Sequence, residues 1–369
     1  MAQSRLSPNS VTLPEKPSSV QWRGPLFVIG TWRSGTSLLY ALLNKHPQIA
    51  LMYEGDLPLL RPLFWMPGGG ARWLARWEFW NNGLTRHKLD GSRMRLNASH
   101  FPSAMEEVYQ AYARQKGALI WGDKSPNYYD SLVWLAREFP DARFVIIWRD
   151  PTSIIRSIVR AAEENSFFGQ RGMAIRALMG YRVLKTECDR LVSRGSRVHY
   201  MQYEALVRDP ARVMADVCKF LDIPFVPNVG FLDGADRSAI YQAQHHALVR
   251  GEQIVSSLER AELLPVELKR KIKRYESLWW EESGQKWPIL SSSQDCNCEK
   301  PSLWERLVDR VLYRCLRIMD SIVVVAYCSV PLPLLRGIRS FRRRHDRKGA
   351  MTEPSEDTPS TVSDTNRAT

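Results

Sequence analysis

The stretch F-V-I-G-T-W-R-S-G-T-S-L-L runs from Phe27 to Leu39. A compact apolar run, Leu26 to Ile29, ends at Gly30, and Gly35, Thr36 and Ser37 follow five residues on. Leu38, Leu39, Leu42 and Leu43 then fall on one helical stripe. The pattern reads as a buried strand, a glycine-bounded loop, and a helix over 36–45 that stops at His46-Pro47. It is one substitution away from G-x-x-x-x-G-K-[ST], the phosphate loop of nucleotide hydrolases. Thr36 stands in the lysine position, and Arg33 stands inside the loop.

That substitution narrows the chemistry. Consecutive backbone N–H groups leading into a helix N-terminus hold an anion, and the Thr36 and Ser37 hydroxyls add donors. The missing lysine is the group that reaches the β/γ-phosphates of a metal-bound triphosphate. The loop Arg33-Ser34-Gly35-Thr36-Ser37 therefore suits one phosphate, with Arg33 as a permanently charged fork. The bland alternative is a glycine-rich turn between strand and helix.

Outward from the loop, strands and helices alternate. Ile49 to Met52 reads as a second short strand, and Asn127 to Glu138 as a helix that stops before Pro140. RFVIIW (143–148) is the clearest central strand, and Asp150-Pro151 opens the next helix, where a proline's missing N–H is harmless. Arg197 to Met201 is a further strand, and Asp209-Pro210 opens a helix to Leu221. This order implies a three-layer α/β fold, a mostly parallel central sheet flanked by helices.

A second anchor is W-R-D-P-T-S-I-I-R-S, Trp148 to Ser157. Arg149 stands at the carboxyl end of the RFVIIW strand, where open parallel sheets bind ligands. Ser157 lies two turns into the next helix, so Arg149 and Ser157 can share a further phosphate. An R-D-P run also serves as an ordinary helix cap.

Together these pieces resemble the sulfotransferases that use 3'-phosphoadenosine 5'-phosphosulfate. In that family a 5'-phosphosulfate loop follows the first strand, and an arginine and a downstream serine after a central strand hold the 3'-phosphate. G-D-K-S-P-N-Y (122–128), F-P-D-A-R-F (139–144) and Y-E-A-L-V-R-D-P (203–210) also resemble recurrent family segments. The likeness covers about 24–225 and weakens toward 290. Arg33 stands where the aryl and steroid branch has lysine, so the chain is more similar to the Golgi-type, tyrosylprotein and bacterial branches. The resemblance implies a P-loop-like sulfotransferase fold, that donor, and no metal requirement. It implies in-line transfer of the sulfuryl group to an acceptor hydroxyl or amine. Arg33, Ser34, Gly35, Thr36, Ser37, Arg149 and Ser157 would bind the donor, with Arg33 and Lys124 as cations on the leaving phosphate and sulfuryl group. Glu54 in L-M-Y-E-G-D would be the base, by likeness to a tyrosylprotein-branch glutamate downstream of a similar His-Pro. Asp56 competes with it, and Asp123 and His100 are weaker choices.

The rest of the chain sets bounds. Its 369 residues suffice for one large α/β domain with attachments. The division expected is a disordered leader (1–20), the sulfotransferase domain (21–290), an apolar and basic helical C-terminal extension (291–348) and a disordered tail (349–369). Cysteines 188, 218, 296, 298, 315 and 328 show no CxxC pair and read as ordinary thiols of a reducing, cytoplasmic compartment. The net charge of +13 points to an anionic partner. Seven Lys/Arg against one Asp lie between Arg336 and Lys348. The apolar run from Ser321 to Leu335 is short of the ~20 residues of a membrane span. It reads either as a helix docked on the domain or as an interfacial segment meeting anionic lipid. Nucleic acid is not expected, because the basic run is tail-like rather than interleaved with aromatics.

Residues 62–118 break the alternating rhythm. Trp73, Trp77 and Trp80 share one helical face there, as a packed helix or as the wall or lid of an acceptor pocket. His245, His246, Arg250 and Lys286 are candidates for the same side. The acceptor stays open: glycan, lipid head group, peptide tyrosine or small metabolite. Two other readings compete with a sulfotransferase. A P-loop phosphotransferase would carry the loop lysine and a Mg²⁺-holding carboxylate where Arg149 stands. A non-enzymatic membrane-surface or nucleotide-binding protein on a decayed fold would bind the donor without turnover.

Overall fold

The computed structural model describes residues 22–64, 69–97, 99–164, 168, 172–241, 247–254, 264–283, 300–331, 333, 334 and 337. The expected leader and tail, most of the basic run, Cys296, Cys298, His245, His246 and Lys286 lie outside these residues.

Five strands make one sheet: β1 (Leu26–Ile29), β2 (Ile49–Tyr53), β3 (Ile120–Lys124), β4 (Arg143–Trp148) and β5 (Arg197–Gln202). The order is β2-β3-β1-β4-β5, and every neighbouring pair is parallel. Phe27, Ile29, Phe144 and Ile146 face one core, which the Phe101–Lys116 and Met173–Ser193 helices complete. Leu26, Val28, Val145 and Ile147 face the other, under the Thr36–Leu43 and Pro210–Phe220 helices. Burial on both faces is why β1 and the Phe144–Trp148 part of β4 read as unbroken apolar runs. Each strand ends at the same edge, and ligands of open parallel sheets gather outside that edge.

β3 is the strand that pattern reading misses. IWGDK carries Asp123 and Lys124, both fully buried. At Gly122 a Cβ would lie 1.9 Å from the Leu26 carbonyl oxygen, so β1 pairs this closely only with glycine there. The expected helix over 127–138 is corrected to a single 3₁₀ turn, Pro126–Tyr128, and a helix Leu132–Glu138. Ser125 causes the break, because its hydroxyl accepts the Asn127 N–H at 3.0 Å and caps the turn.

The C-terminal extension is helical. Leu303–Ser329 is one continuous helix, capped by Ser302 accepting the Glu305 N–H at 3.1 Å. The apolar run after Ser321 is thus the last third of a longer helix and not a segment of its own. One side of that helix docks on the domain. Asp309 accepts from Lys271 (2.9 Å) and Tyr275 (2.6 Å), Tyr313 meets Tyr129 at 3.2 Å, and Arg317 pairs with Asp130.

Candidate active site

The sheet edge carries four loops in a fixed lateral order. Glu54 follows β2, Lys124 closes β3, the loop 31–35 follows β1, and Arg149 follows β4. Residues far apart in the chain are brought together because parallel strands deliver all their following loops to one side.

The loop after β1 has the build of an anion cradle. A Cβ at Gly30 would lie 2.8 Å from the Ile147 carbonyl oxygen. Gly35 caps the Thr36–Leu43 helix at φ 98, and a Cβ there would lie 2.2 Å from the Tyr203 ring. The amides of Gly35, Thr36 and Ser37 make no backbone hydrogen bond among the described residues, as the first N–H groups of a helix must. The buried hydroxyls of Thr31 and Ser34 also have no partner among the described residues. Buried donors without acceptors are costly unless a ligand satisfies them.

Arg33 sits in the left-handed region at φ 68, which turns its side chain toward the helix after β4. Its Nε donates to Ser157 Oγ at 2.9 Å, and its carbonyl accepts from Arg149 Nη1 at 2.8 Å. The Arg149 guanidinium lies 4.2 Å over the Tyr203 ring. Burial lowers the pKa of Arg149, opposed by Tyr203 and Glu204. Arg33, Arg149 and Ser157, two predicted phosphate-binding elements, thus form one cationic pocket. Arg33 engages Ser157 directly here.

Beside the loop stands a second cluster. Lys124 Nζ is fully buried, donates to Glu54 Oε1 at 2.7 Å and to Ser37 Oγ at 3.4 Å, and lies 3.6 Å over the Tyr53 ring. Ser37 Oγ and the Tyr53 hydroxyl are 2.8 Å apart. Burial lowers the lysine pKa, and the Glu54 carboxylate opposes that shift. Glu54 is clamped through its backbone. It has φ 48, its N–H donates to the Lys124 carbonyl at 2.7 Å, and its own carbonyl accepts from Asn81 (2.6 Å) and Arg86 (2.8 Å). Holding a non-glycine residue in the left-handed region costs about 1–3 kcal/mol, so the surrounding bonds over-determine it.

The competing carboxylates are already engaged. Asp56 accepts from Ser125 Oγ at 2.5 Å and Asn127 Nδ2 at 3.1 Å, one bond to each oxygen. Burial, then the nearby Glu54 charge, pushes its carboxyl up to about 7. Asp123 is buried under Tyr128 (2.5 Å), Tyr109 (3.3 Å) and the Gly55 N–H (3.1 Å), and burial raises it to about 6. His100 is exposed and only caps the Phe101–Lys116 helix, its Nδ1 accepting the Ser103 N–H. Among these, the Glu54 carboxylate has one oxygen on a buried cation and an opening to solvent, with 16% of its side chain exposed.

A family model described as the sulfotransferase family matches residues 25–227, which hold both anion elements and the Glu54–Lys124 pair. The chain belongs to the sulfotransferase family. It is 25% identical over 203 residues to protein-tyrosine sulfotransferase 1 of Danio rerio, covering 54% of this chain and 53% of that protein. With protein-tyrosine sulfotransferase A of Caenorhabditis elegans the identity is 25% over 256 residues, 67% of this chain and 60% of that protein. The chain thus spans little more than half the length of these relatives. Among solved structures, the sulfotransferase domain from the curacin biosynthetic pathway is 18% identical with a TM-score of 0.48, over 73% of this chain and 100% of that domain.

The site also uses residues that pattern reading passes over. Trp73 and Trp77 are fully buried, which excludes them from an acceptor wall, while Trp80 is half-buried. Trp77 Nε1 donates to the Gly55 carbonyl at 2.7 Å and so braces the turn after Glu54. His87 Nε2 accepts the Tyr53 N–H at 3.0 Å, and burial depresses its pKa to about 3, so it is a neutral strut. Tyr241 donates to Asn81 Oδ1 at 3.0 Å and carries the Arg86 guanidinium 4.7 Å over its ring. Tyr53 had a local signal, since it precedes Glu54. Asn81, Arg86 and Tyr241 had none, because only the fold brings them to Glu54. The Arg250 carbonyl accepts from Arg237 at 2.8 Å.

Proposed function

We propose that this sulfotransferase moves a sulfuryl group from 3'-phosphoadenosine 5'-phosphosulfate to an acceptor hydroxyl, with Glu54 as base. The lateral order along the sheet edge carries the reading: carboxylate, buried lysine, single-phosphate loop, two-arginine pocket. The residues fit a donor with two separate phosphates. The free loop amides and the Thr31 and Ser34 hydroxyls suit the 5'-phosphate, and Arg149 with Ser157 and Arg33 suits the 3'-phosphate. When bound, the donor supplies a sulfuryl group already joined to a stable leaving phosphate.

Glu54 takes the acceptor proton as the new oxygen–sulfur bond forms. The bond between sulfur and the bridging oxygen breaks, and its electron pair stays on the 5'-phosphate. Lys124, held by Glu54 and Ser37, balances the negative charge building on that oxygen. Arg33 joins the donor through the pocket it shares with Ser157. No metal is needed in this scheme, because fixed cations do the neutralising.

Relatives named protein-tyrosine sulfotransferases make a protein tyrosine the first acceptor to try, ahead of glycan, lipid and small-molecule hydroxyls. The reading includes a reducing, cytoplasmic setting, which the free thiols of Cys188, Cys218 and Cys315 support. The test is transfer of labelled sulfate from the donor to tyrosine peptides, glycans and phenols, with and without a chelator. Label in any acceptor, insensitive to chelation and lost in Glu54→Gln, supports the proposal. Donor binding without transfer to any of them contradicts it and favours the non-enzymatic reading.

A further inference from the structure

The Leu303–Ser329 helix has a second face that the described residues of the domain do not cover. Trp304, Val308, Val311, Ile318, Met319 and Ile322 line it at helical spacing, and all are exposed: Trp304 by 72%, Ile318 by 58%, Ile322 by 59%. The helix is about 40 Å long, so this is an apolar stripe of unusual extent for a soluble surface. The helix also sorts its charges. Glu305, Asp309 and Asp320 are all ion-paired, with Arg274 (2.8 Å), Lys271 (2.8 Å) and Arg176, although the Asp320 side chain keeps 39% of its surface exposed. Arg310 and Arg314 are exposed beside the stripe. Among the exposed residues of the helix there is no unpaired acid.

We infer that this face lies on an anionic membrane surface, apolar stripe inward and arginines at the lipid phosphates. Charge complementarity selects this occupant. The unpaired charges exposed beside the stripe, Arg310 and Arg314, are cationic, its acids Glu305, Asp309 and Asp320 being ion-paired, and the chain that follows adds seven Lys/Arg against one Asp between 336 and 348. A second copy would set the same basic face against itself. The sequence after that run is a poor cover, since 349–369 hold no Leu, Ile, Phe, Tyr or Trp. No described helix is long and apolar enough to cross a membrane, and an interfacial helix needs no such length of apolar chain. Arginine stems run along the apolar surface while their heads reach the phosphates. Each cation near the surface adds to binding, and salt weakens that part.

The inference does not depend on the transfer chemistry. Its test is co-sedimentation of the full chain with phosphatidylcholine vesicles and with vesicles of phosphatidylcholine and phosphatidylserine in about a two-to-one ratio. Three proteins are compared: wild type, Ile318→Asp/Ile322→Asp and Arg310→Glu/Arg314→Glu. The altered residues face solvent, so both variants are expected to keep the wild-type thermal melt, which is measured alongside. The expected result is wild-type binding to the anionic vesicles at least about tenfold stronger than to neutral ones. Each double variant should bind at least about tenfold more weakly than wild type. Wild type left in the supernatant with anionic vesicles overturns the inference. So does equal binding to neutral vesicles, or full binding by the Ile318→Asp/Ile322→Asp variant. A concentration-dependent dimer in sedimentation velocity that this variant dissolves, without vesicle binding, overturns it in favour of self-association.

Discussion

Lys124 has no solvent exposure, so its charge is tolerated only because Glu54 and the Tyr53 ring face it. That separates two substitutions of Glu54. Glu54→Gln keeps an acceptor oxygen for Lys124 and should fold normally, yet lose about 10²–10⁴-fold in kcat with donor affinity nearly unchanged. Glu54→Leu leaves a buried cation unpaired and should cost about 3–5 kcal/mol in urea denaturation. Asp56 makes a pH prediction. Its carboxyl titrates at about 7 in the fold against an ordinary 3.8. Between these values the folded protein keeps a proton that the unfolded chain has released, so stability falls as pH rises through the window. Asp123, raised to about 6, acts in the same direction. In denaturation at pH 5 and pH 8, Asp56→Asn should match wild type at the lower pH and gain on the order of 2 kcal/mol relative to it at the higher. At this scale the sequence shows the residues that chemistry marks by local context: Arg33 in a glycine-bounded loop, Arg149 at a strand end. It hides Asn81, Arg86 and Tyr241, whose role is to hold the Glu54 backbone from elements far away in the chain.

Elements carry their own lesson. β1 and β4 are legible because both faces are buried and every residue after Arg143 of β4, like every residue of β1, is apolar. β3 is not, because Asp123 and Lys124 occupy core positions where a pattern reader expects aliphatic residues. Those polar positions work only with dedicated partners: Tyr109, Tyr128 and Gly55 for Asp123, and Glu54 for Lys124. The strand escapes detection at the point where it serves the site. The loop after β1 shows the opposite case, a functional element whose glycines announce it. Gly35→Ala should test that link. The φ of 98 and the Tyr203 ring 2.2 Å from a Cβ require the loop or the ring to move. The expected outcome is a loss of about 1–3 kcal/mol in thermal stability together with weakened bisphosphate binding, since Tyr203 also carries Arg149. A variant with wild-type affinity would show that the Gly35–Tyr203 contact does not shape the pocket.

At the scale of the whole molecule, one parallel sheet sets the order of the site, and the C-terminal helix covers one flank. The α/β class follows from the alternating pattern, and so does the placement of both anion elements at one edge. The docking of Leu303–Ser329 does not, since it rests on Asp309, Tyr313 and Arg317 meeting partners 38, 184 and 187 residues away. If the proposed function holds, this edge takes a two-phosphate donor without metal. The most direct measurement is calorimetric titration with adenosine 3',5'-bisphosphate in the presence of a chelator, beside ATP with Mg²⁺, on wild type and Arg149→Ala. Binding of the bisphosphate in the micromolar range is expected, with none of comparable strength for Mg·ATP. Arg149→Ala should lose about 10–100-fold in affinity, as removing a charged hydrogen-bonding partner implies. Preference for Mg·ATP, or bisphosphate binding indifferent to Arg149, would contradict the proposed function.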